Sequence, residues 1–173
     1  MLAKLRADRN RSGTIMWTTL NFGKHANQTL PQVVLSDPNW FFWVVSKRVF
    51  DGRPEFEAEA DALESRARNI RIPKRHPKEW AVEYRWDRDD RFLGFHFVEA
   101  KGSFEAPLSS RLPHLDLAYV RRGYIHDIRD CRQLIRDFRF LYFEGLNLTK
   151  GRCEQFFDNE RNFTKSGRES MFR

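Results

Sequence analysis

Asp90, Glu99 and Lys101 stand at a spacing that metal-assisted hydrolysis can use. Two carboxylates can hold a Mg²⁺ ion while a lysine orients or deprotonates the attacking water. Residues two apart on a strand share a face, so Glu99 and Lys101 would point together, with Asp87 or Asp90 brought alongside by a hairpin. An upstream helix with Glu55, Glu59 and Glu64 and a later helix with Gln133 and Arg136 would complete such a layout. Glu-x-Lys also arises often by chance where 32% of residues are charged. Asp90 further falls in the expected hairpin turn rather than on a strand. The preferred reading is therefore a surface pair closing a strand, and Mg²⁺ is implied only by the catalytic alternative. His25, His76, His96, His114 and His126 are scattered without zinc-ligand spacing, and Cys131 and Cys153 are too few for a four-thiolate site. His96, inside an apolar run, reads as a hydrogen-bonded core histidine. Glycine-rich phosphate loops and nucleophile elbows are absent from the sequence.

The second kind of chemistry on offer is charge. The net charge is +7, carried by 23 arginines and only 8 lysines. Guanidinium groups bind phosphate bidentately and stack on bases, although they equally serve Arg–carboxylate pairing inside a charged fold. Asp51 to Glu64 holds six acids and one base, Arg53; Arg66 to Lys78 holds six bases and no acid. That switch reads either as a helix whose ends suit its macrodipole or as a polarised surface that steers a polyanion. The basic run extends past the expected helix end, which the dipole does not require. Arg66, Arg68, Arg71, Lys74, Arg75 and Lys78 are thus candidate phosphate contacts.

These groups need elements to position them. Residues 1–13 read as a flexible basic arm, and Thr14–Leu20 as a strand turning through 21–27 into a hairpin. Asp37-Pro38 is a helix start, with Asp as N-cap and Pro at the first position; that helix should run to about Val49. A further helix is expected from Pro54 to about Asn69, with Phe56, Ala60, Leu63 and Ala67 as its apolar stripe. Pro73 and Pro77 break the pattern and mark a division at about 70–79. Trp80–Trp86 and Phe92–Ala100 around a polar turn predict a β-hairpin. Residues 101–114 read as a loop and Leu115–Val120 as a strand. Cys131, Leu134, Ile135, Phe138, Leu141 and Tyr142 define an amphipathic helix from Ile128 to near Gly145. Thr149 should cap a last helix with Cys153, Phe156 and Phe157 inside.

The whole predicts an α+β fold: an N-terminal β-hairpin with two or three helices, then a small antiparallel sheet packed with an amphipathic C-terminal helix. The expected organisation is an arm (1–13), a small module (14–72), an α+β region (79–158) and a polar tail (159–173). The longest apolar run, around Trp40–Val44, is far too short for a membrane helix, and the first residues lack a signal-peptide core. A cytoplasmic protein is expected, with no membrane partner.

Phe22-Gly23-Lys24-His25, Leu30, Val33, Asp37-Pro38, Trp40-Phe41 and Trp43 form an ordered set. It resembles the small C-terminal module of exonuclease X-like members of the DnaQ exonuclease family, over about residues 20–45. The family pattern is approximately F-G-K-[YH]-x-G, a Val-containing turn, then D-P-x-[YW]-[LF]-x-W. Asn27 stands where the family usually has glycine, and asparagine tolerates positive φ better than most residues. The resemblance implies a nucleic-acid-associated accessory module without a catalytic centre. Lys24 and His25 sit on its turn, where a phosphate could meet them, while Trp17, Phe22, Trp40 and Phe41 could stack on bases or simply form the module's core. The Glu99–Lys101 string resembles, without its proline, the motif of PD-(D/E)xK nucleases. The expected function is a non-catalytic DNA- or RNA-binding protein. The alternatives are an interaction or inhibitor protein acting on a nucleic-acid enzyme through the acidic face of 51–64, and, third, a small metal-dependent nuclease.

Overall fold

A computed structural model describes residues 17–73, 79–89, 92–103, 108–124 and 128–164, the side chains of 122–124 and 128–131 excepted. The arm at 1–13 lies outside these residues. Three helices open the described chain: α1 (Leu30–Ser36), α2 (Pro38–Ser46) and α3 (Pro54–Ala67). The short strand β1 (Ile70–Arg71) follows. Next come β2 (Trp80–Trp86), β3 (Phe92–Glu99), β4 (Ser109–Leu112) and β5 (His114–Leu115). The chain finishes with α4 (Ala118–Tyr124), α5 (Ile128–Phe143), α6 (Lys150–Asp158) and a 3-10 turn at Glu160–Asn162. The fold class is α+β.

Each helix forms for a local reason. Asp37 Oδ1 accepts the Trp40 amide, and Pro38 occupies a first-turn position where no donor is needed, so α2 starts sharply. It buries Phe41, Phe42 and Val44. Of the stripe its spacing predicts, Phe41, Trp40 or Val44, Val45 and Val49, the structure buries Phe41 and Val44 and adds Phe42, while Val45 and Val49 are half-buried and α2 ends at Ser46, short of Val49. On α3 the buried residues are Phe56, Ala60, Leu63 and Ala67, as their spacing predicts. Thr149 caps α6 and puts Cys153, Phe156 and Phe157 inside. Burial pushes the Cys153 thiol up to about 11, so that cysteine serves packing.

β2 is the middle of a three-stranded antiparallel sheet, flanked by β3 and β4. Val82 pairs with Phe97 and Leu112, Glu83 with His96 and Arg111, and Tyr84 with Phe95 and Ser110. Tyr84, fully buried, stacks on Tyr119 of α4 with centroids 3.9 Å apart. A second, two-stranded sheet pairs Ile70 with Leu115 and Arg71 with His114. One buried cluster runs from Trp17 through Leu63, Tyr84 and Leu134 to Phe163, so residues of 14–72 and of 79–158 share it.

Several expectations are corrected. The N-terminal hairpin reduces to one bridge, Thr19 with Thr29, because the second leg turns directly into α1, where Pro31 has no amide to offer a ladder. Residues 14–16 lie outside the described set. β4 lies within the span read as a loop, and β5 ends at Leu115 because Asp116 Oδ1 accepts the Ala118 amide and starts α4. The tail expected from Asn159 begins with a held segment. Phe163 is buried and bridged to Ile70, and Thr164 N–H donates to Asn69 O. His96 is exposed on its strand rather than buried, facing the Arg85 guanidinium.

Candidate nucleic-acid interface

The turn at 20–29 is closed by Asn27 N–H to Leu20 O and Leu20 N–H to Gln28 O, both 2.8 Å. Gly23 and Asn27 both take φ of 70°. This geometry turns Lys24 and His25 inward along the chain, onto Asp37. Lys24 Nζ lies 2.6 Å and His25 Nε2 3.1 Å from Asp37 Oδ2, while His25 Nδ1 faces Gln28 Oε1 at 3.0 Å. His25 also meets the Trp40 ring edge-on at 4.8 Å. Burial of Asp37 opposes its charge, but Lys24, the Trp40 amide and His25 outweigh it and hold the carboxyl below its ordinary value. The two basic residues of the turn therefore fasten it to the capping residue of α2. Trp17 is buried, with Nε1 donating to Asp158 Oδ1 at 3.0 Å, and Phe41 is buried in the core. Trp43, by contrast, is 38% exposed.

The arginines from 66 onward divide between two faces. Residues two apart on a helix lie about 200° apart around its axis, so Arg66 and Arg68 at the end of α3 cannot share a surface. Arg66 Nη1 donates to Phe157 O, and its guanidinium lies 5.7 Å from the Phe163 ring centroid. Arg71 Nε donates to Arg161 O at 3.0 Å and Nη2 to Phe163 O at 2.9 Å. Tyr142 Oη donates to Arg71 O at 3.0 Å. Arg66 and Arg71 are thus held on backbone carbonyls of one segment, which bind the guanidinium without cancelling its charge. Arg161, whose carbonyl accepts from Arg71, is exposed on that segment. Of the carboxylates there, Asp158 accepts from Trp17 and also faces the Arg66 charge, and Glu160 is exposed. Neither composition nor periodicity singles out Arg161; its place follows from the pairing of Phe163 with Ile70.

Arg68 turns the other way. Its Nε and Nη2 reach Glu64 Oε1 at 3.2 and 2.9 Å, Nη1 lies 3.8 Å from Asp116 Oδ2, and the guanidinium sits 5.1 Å from the Phe42 centroid. It lines a cleft of about 360 Å³ with Phe42, Ser46, Asp116, Ala118, Tyr119 and Arg121. Burial raises the Asp116 carboxyl to about 6, against the opposing Ala118 amide and Arg68 charge. Lys74, Arg75 and Lys78 lie outside the described residues. Lys24 and His25, Arg66 and Arg71, and Arg68 accordingly belong to three separate settings.

The acidic half is also resolved into roles. Glu59 Oε1 accepts from Thr18 N–H at 2.8 Å and Thr18 Oγ1 at 2.7 Å, and burial raises its pKa despite these donors. Asp51, Glu55, Glu57 and Asp61 are exposed.

Glu99 is the last residue of β3, and Gly102 N–H donates to its carbonyl, closing a turn that contains Lys101. The two side chains therefore do not share a strand face as the Glu-x-Lys reading requires. Asp90 lies outside the described residues. Among the described residues no group of three or more His, Cys, Asp or Glu side chains is placed to hold a metal, and no helix is long and apolar enough to cross a membrane. Sequence reading missed the pair beneath the sheet, where fully buried Glu83 accepts from Arg111 Nη2. Arg111 also donates to the Gly102 and Ser103 carbonyls, at 2.5 and 2.7 Å. Alternation along β2 puts Glu83 on the face opposite Val82 and Tyr84 and so points to exposure; its burial comes from pairing with Arg111 on β4, which no local pattern encodes.

No family model, curated protein or solved structure matches this chain.

Proposed function

We propose that this is a non-catalytic nucleic-acid-binding accessory protein, contacting phosphates through Arg66, Arg71 and Arg161. The carrying observation is that the Arg71 guanidinium is oriented by the carbonyls of Arg161 and Phe163, which fix it without neutralising it, while Arg66 is held on Phe157 O with the Asp158 carboxylate in electrostatic reach. Ordered cations lose little side-chain freedom on meeting a phosphate, and charge-assisted bonds to phosphate are strong. A net charge of +7 and the resemblance of residues 20–45 to a nucleic-acid-associated module support the same reading. The sequence adds Lys74, Arg75 and Lys78 to this strip. Lys24 and His25, fastened to Asp37, are dropped from it.

Fluorescence anisotropy with labelled single-stranded DNA, duplex DNA and RNA tests the proposal. Affinity should fall steeply with salt, and Arg71→Gln should reduce the log–log salt slope by about 1. Absence of binding to all three at about 50 mM salt, a condition that favours phosphate contacts, would end it.

A second reading is a protein that docks a basic partner, a nucleic-acid enzyme among the candidates. It is favoured by the exposure of Asp51, Glu55, Glu57 and Asp61 along the start of α3. Charge reversal at Glu55, Glu57 and Asp61 should then release a partner captured from the native host; retention of every partner would count against it.

A further inference from the structure

β3 lies at the edge of its sheet, with β2 as its one neighbour there. The phase of the ladder tells which of its backbone groups stay free. Ala100 N–H donates to Glu79 O, in register with the pairs Val98–Ala81, His96–Glu83 and Gly94–Arg85. Bonded and non-bonded pairs alternate along an antiparallel ladder. Val98, His96 and Gly94 therefore bond to β2, and Phe95 and Phe97 turn their N–H and C=O groups outward. Trp86 N–H, bonded to Leu108 O, gives the same phase from the β4 side of β2. Among the described residues these outward groups meet no partner. Beside them runs a groove of about 200 Å³, lined by Leu93, Gly94, Phe95 and His96 and by Gln133, Leu134 and Asp137 of α5. Neighbouring strand residues point to opposite faces, so a space touching all of Leu93 to His96 lies along the strand's edge.

Folded proteins usually guard such an edge with lysine, proline, inward charge or a bulge. From Phe92 to Val98 the sequence has no proline and no Lys, Arg, Asp or Glu. The register shift at Arg85/Trp86 disturbs one end alone. Leu93 is 51% exposed and Phe95 and Phe97 are half-buried, so the edge is apolar as well as unpaired. We propose that β3 pairs antiparallel with β3 of a second copy of this chain, about a two-fold axis at His96. That register sets Phe95 against Phe97 of the other copy, and Phe97 against Phe95 of the other copy. Every outward N–H and C=O of the two residues then finds an acceptor or donor, and aromatic side chains meet across the strands. A net charge of +7 sets copies of the chain against each other, and this strand is a place where they meet without opposing lysines or arginines. The groove's carboxylate, Asp137, accepts from Gln133 Nε2 at 2.6 Å. Pairing β3 on β3 also closes on itself, whereas β3 on the free edge of β4 would propagate.

Sedimentation equilibrium of the full, nucleic-acid-free chain from about 1 to about 200 μM tests the proposal, the span in which weak pairs form. The weight-average mass should rise toward that of two chains. Phe97→Pro and Phe97→Ala both lose the ring, but proline alone also loses the outward N–H, a loss the edge of a monomer tolerates. Phe97→Pro should therefore weaken the dimer at least about tenfold more than Phe97→Ala. His96→Cys keeps the test alive should either variant fail to melt cooperatively. Facing residues of a non-bonded antiparallel pair stand about 4.5 Å apart at Cα, within disulfide reach. Mild oxidation should thus link His96→Cys into a dimer, while wild type, which reports any linkage through Cys131 or Cys153, stays unlinked. A mass of one chain throughout the concentration range overturns the proposal. A dimer in which proline matches alanine and His96→Cys does not link joins through another face, and overturns it equally.

Discussion

Replacing Asp37 with alanine removes one carboxylate from three partners at once, and the loss can be estimated partner by partner. The cap on Trp40 N–H, 3.0 Å long, contributes about 1 kcal/mol. Lys24 is 57% exposed, so its pair with Asp37 adds at most about 1 kcal/mol. The bond to half-buried His25 adds about 1 kcal/mol. Asp37→Ala should therefore cost about 2–3 kcal/mol, which for a chain of this size lowers Tm by about 5–10 °C. Asp37→Ser keeps the cap alone and should recover about 1 kcal/mol of that loss. Circular dichroism melts of the wild type, Asp37→Ala, Asp37→Ser and Lys24→Ala give the four values. Because the folded-state pKa of Asp37 lies below the ordinary 3.8, its contribution is fully present above 3.8 and disappears as pH falls through the folded value. The gap between wild type and Asp37→Ala should narrow accordingly below pH 4. A loss under about 0.5 kcal/mol at pH 7, or serine no better than alanine, would refute the assignment of Lys24 and His25 to a structural clasp.

Other substitutions probe the rest. The Asp116 carboxyl rises from 3.8 to about 6, a shift of about 2 units or about 3 kcal/mol of opposed ionisation. This component of stability therefore grows as pH falls from 7 to 4, and Asp116→Asn should be about 1–3 kcal/mol more stable than wild type at pH 8 and flatter with pH in urea titrations. Arg111→Leu strands the buried Glu83 charge and should cost about 3–5 kcal/mol, with the double variant Glu83→Gln/Arg111→Leu recovering much of it; equal losses would show that the ion pair is not the cause. At Asn27, with φ of 70°, Asn27→Gly should be neutral or slightly stabilising and Asn27→Val should cost about 1–2 kcal/mol, read from thermal melts.

Helices were legible wherever a polar cap met a periodic stripe. Asp37-Pro38 with Phe41 and Val44, and Thr149 with Cys153, Phe156 and Phe157, carry both signals within a dozen residues, and Pro54 at the first turn of α3 does the cap's work beside Phe56, Ala60, Leu63 and Ala67. The β2–β3 hairpin was legible because its alternation is local too. β4 was not, since Ser109-Ser110-Arg111-Leu112 has no apolar rhythm and becomes a strand only because β2 presents an unpaired edge. β5 stops early because Asp116 competes for the backbone, a choice between strand and helix cap that the residues of 115–120 leave balanced. The candidate interface was legible as charge and illegible as geometry. Arg66 and Arg68 are neighbours in sequence and opposites in space, and Lys24 has the residue type of a phosphate contact but a partner 13 positions away. Long-range pairing decides these outcomes, and no local pattern encodes it.

The attachment of Asn159–Thr164 bears on how the chain can be shortened. Phe163 fills a gap beside Ile70, and the carbonyls of Arg161 and Phe163 hold the Arg71 guanidinium. A fragment ending at Asp158 would lack that plug, release Arg71 into solvent and uncover Ile70. It would be expected to clump before it unfolds. Affinity tags and fluorescent labels for any binding assay therefore belong beyond Thr164, with the six preceding residues left untouched.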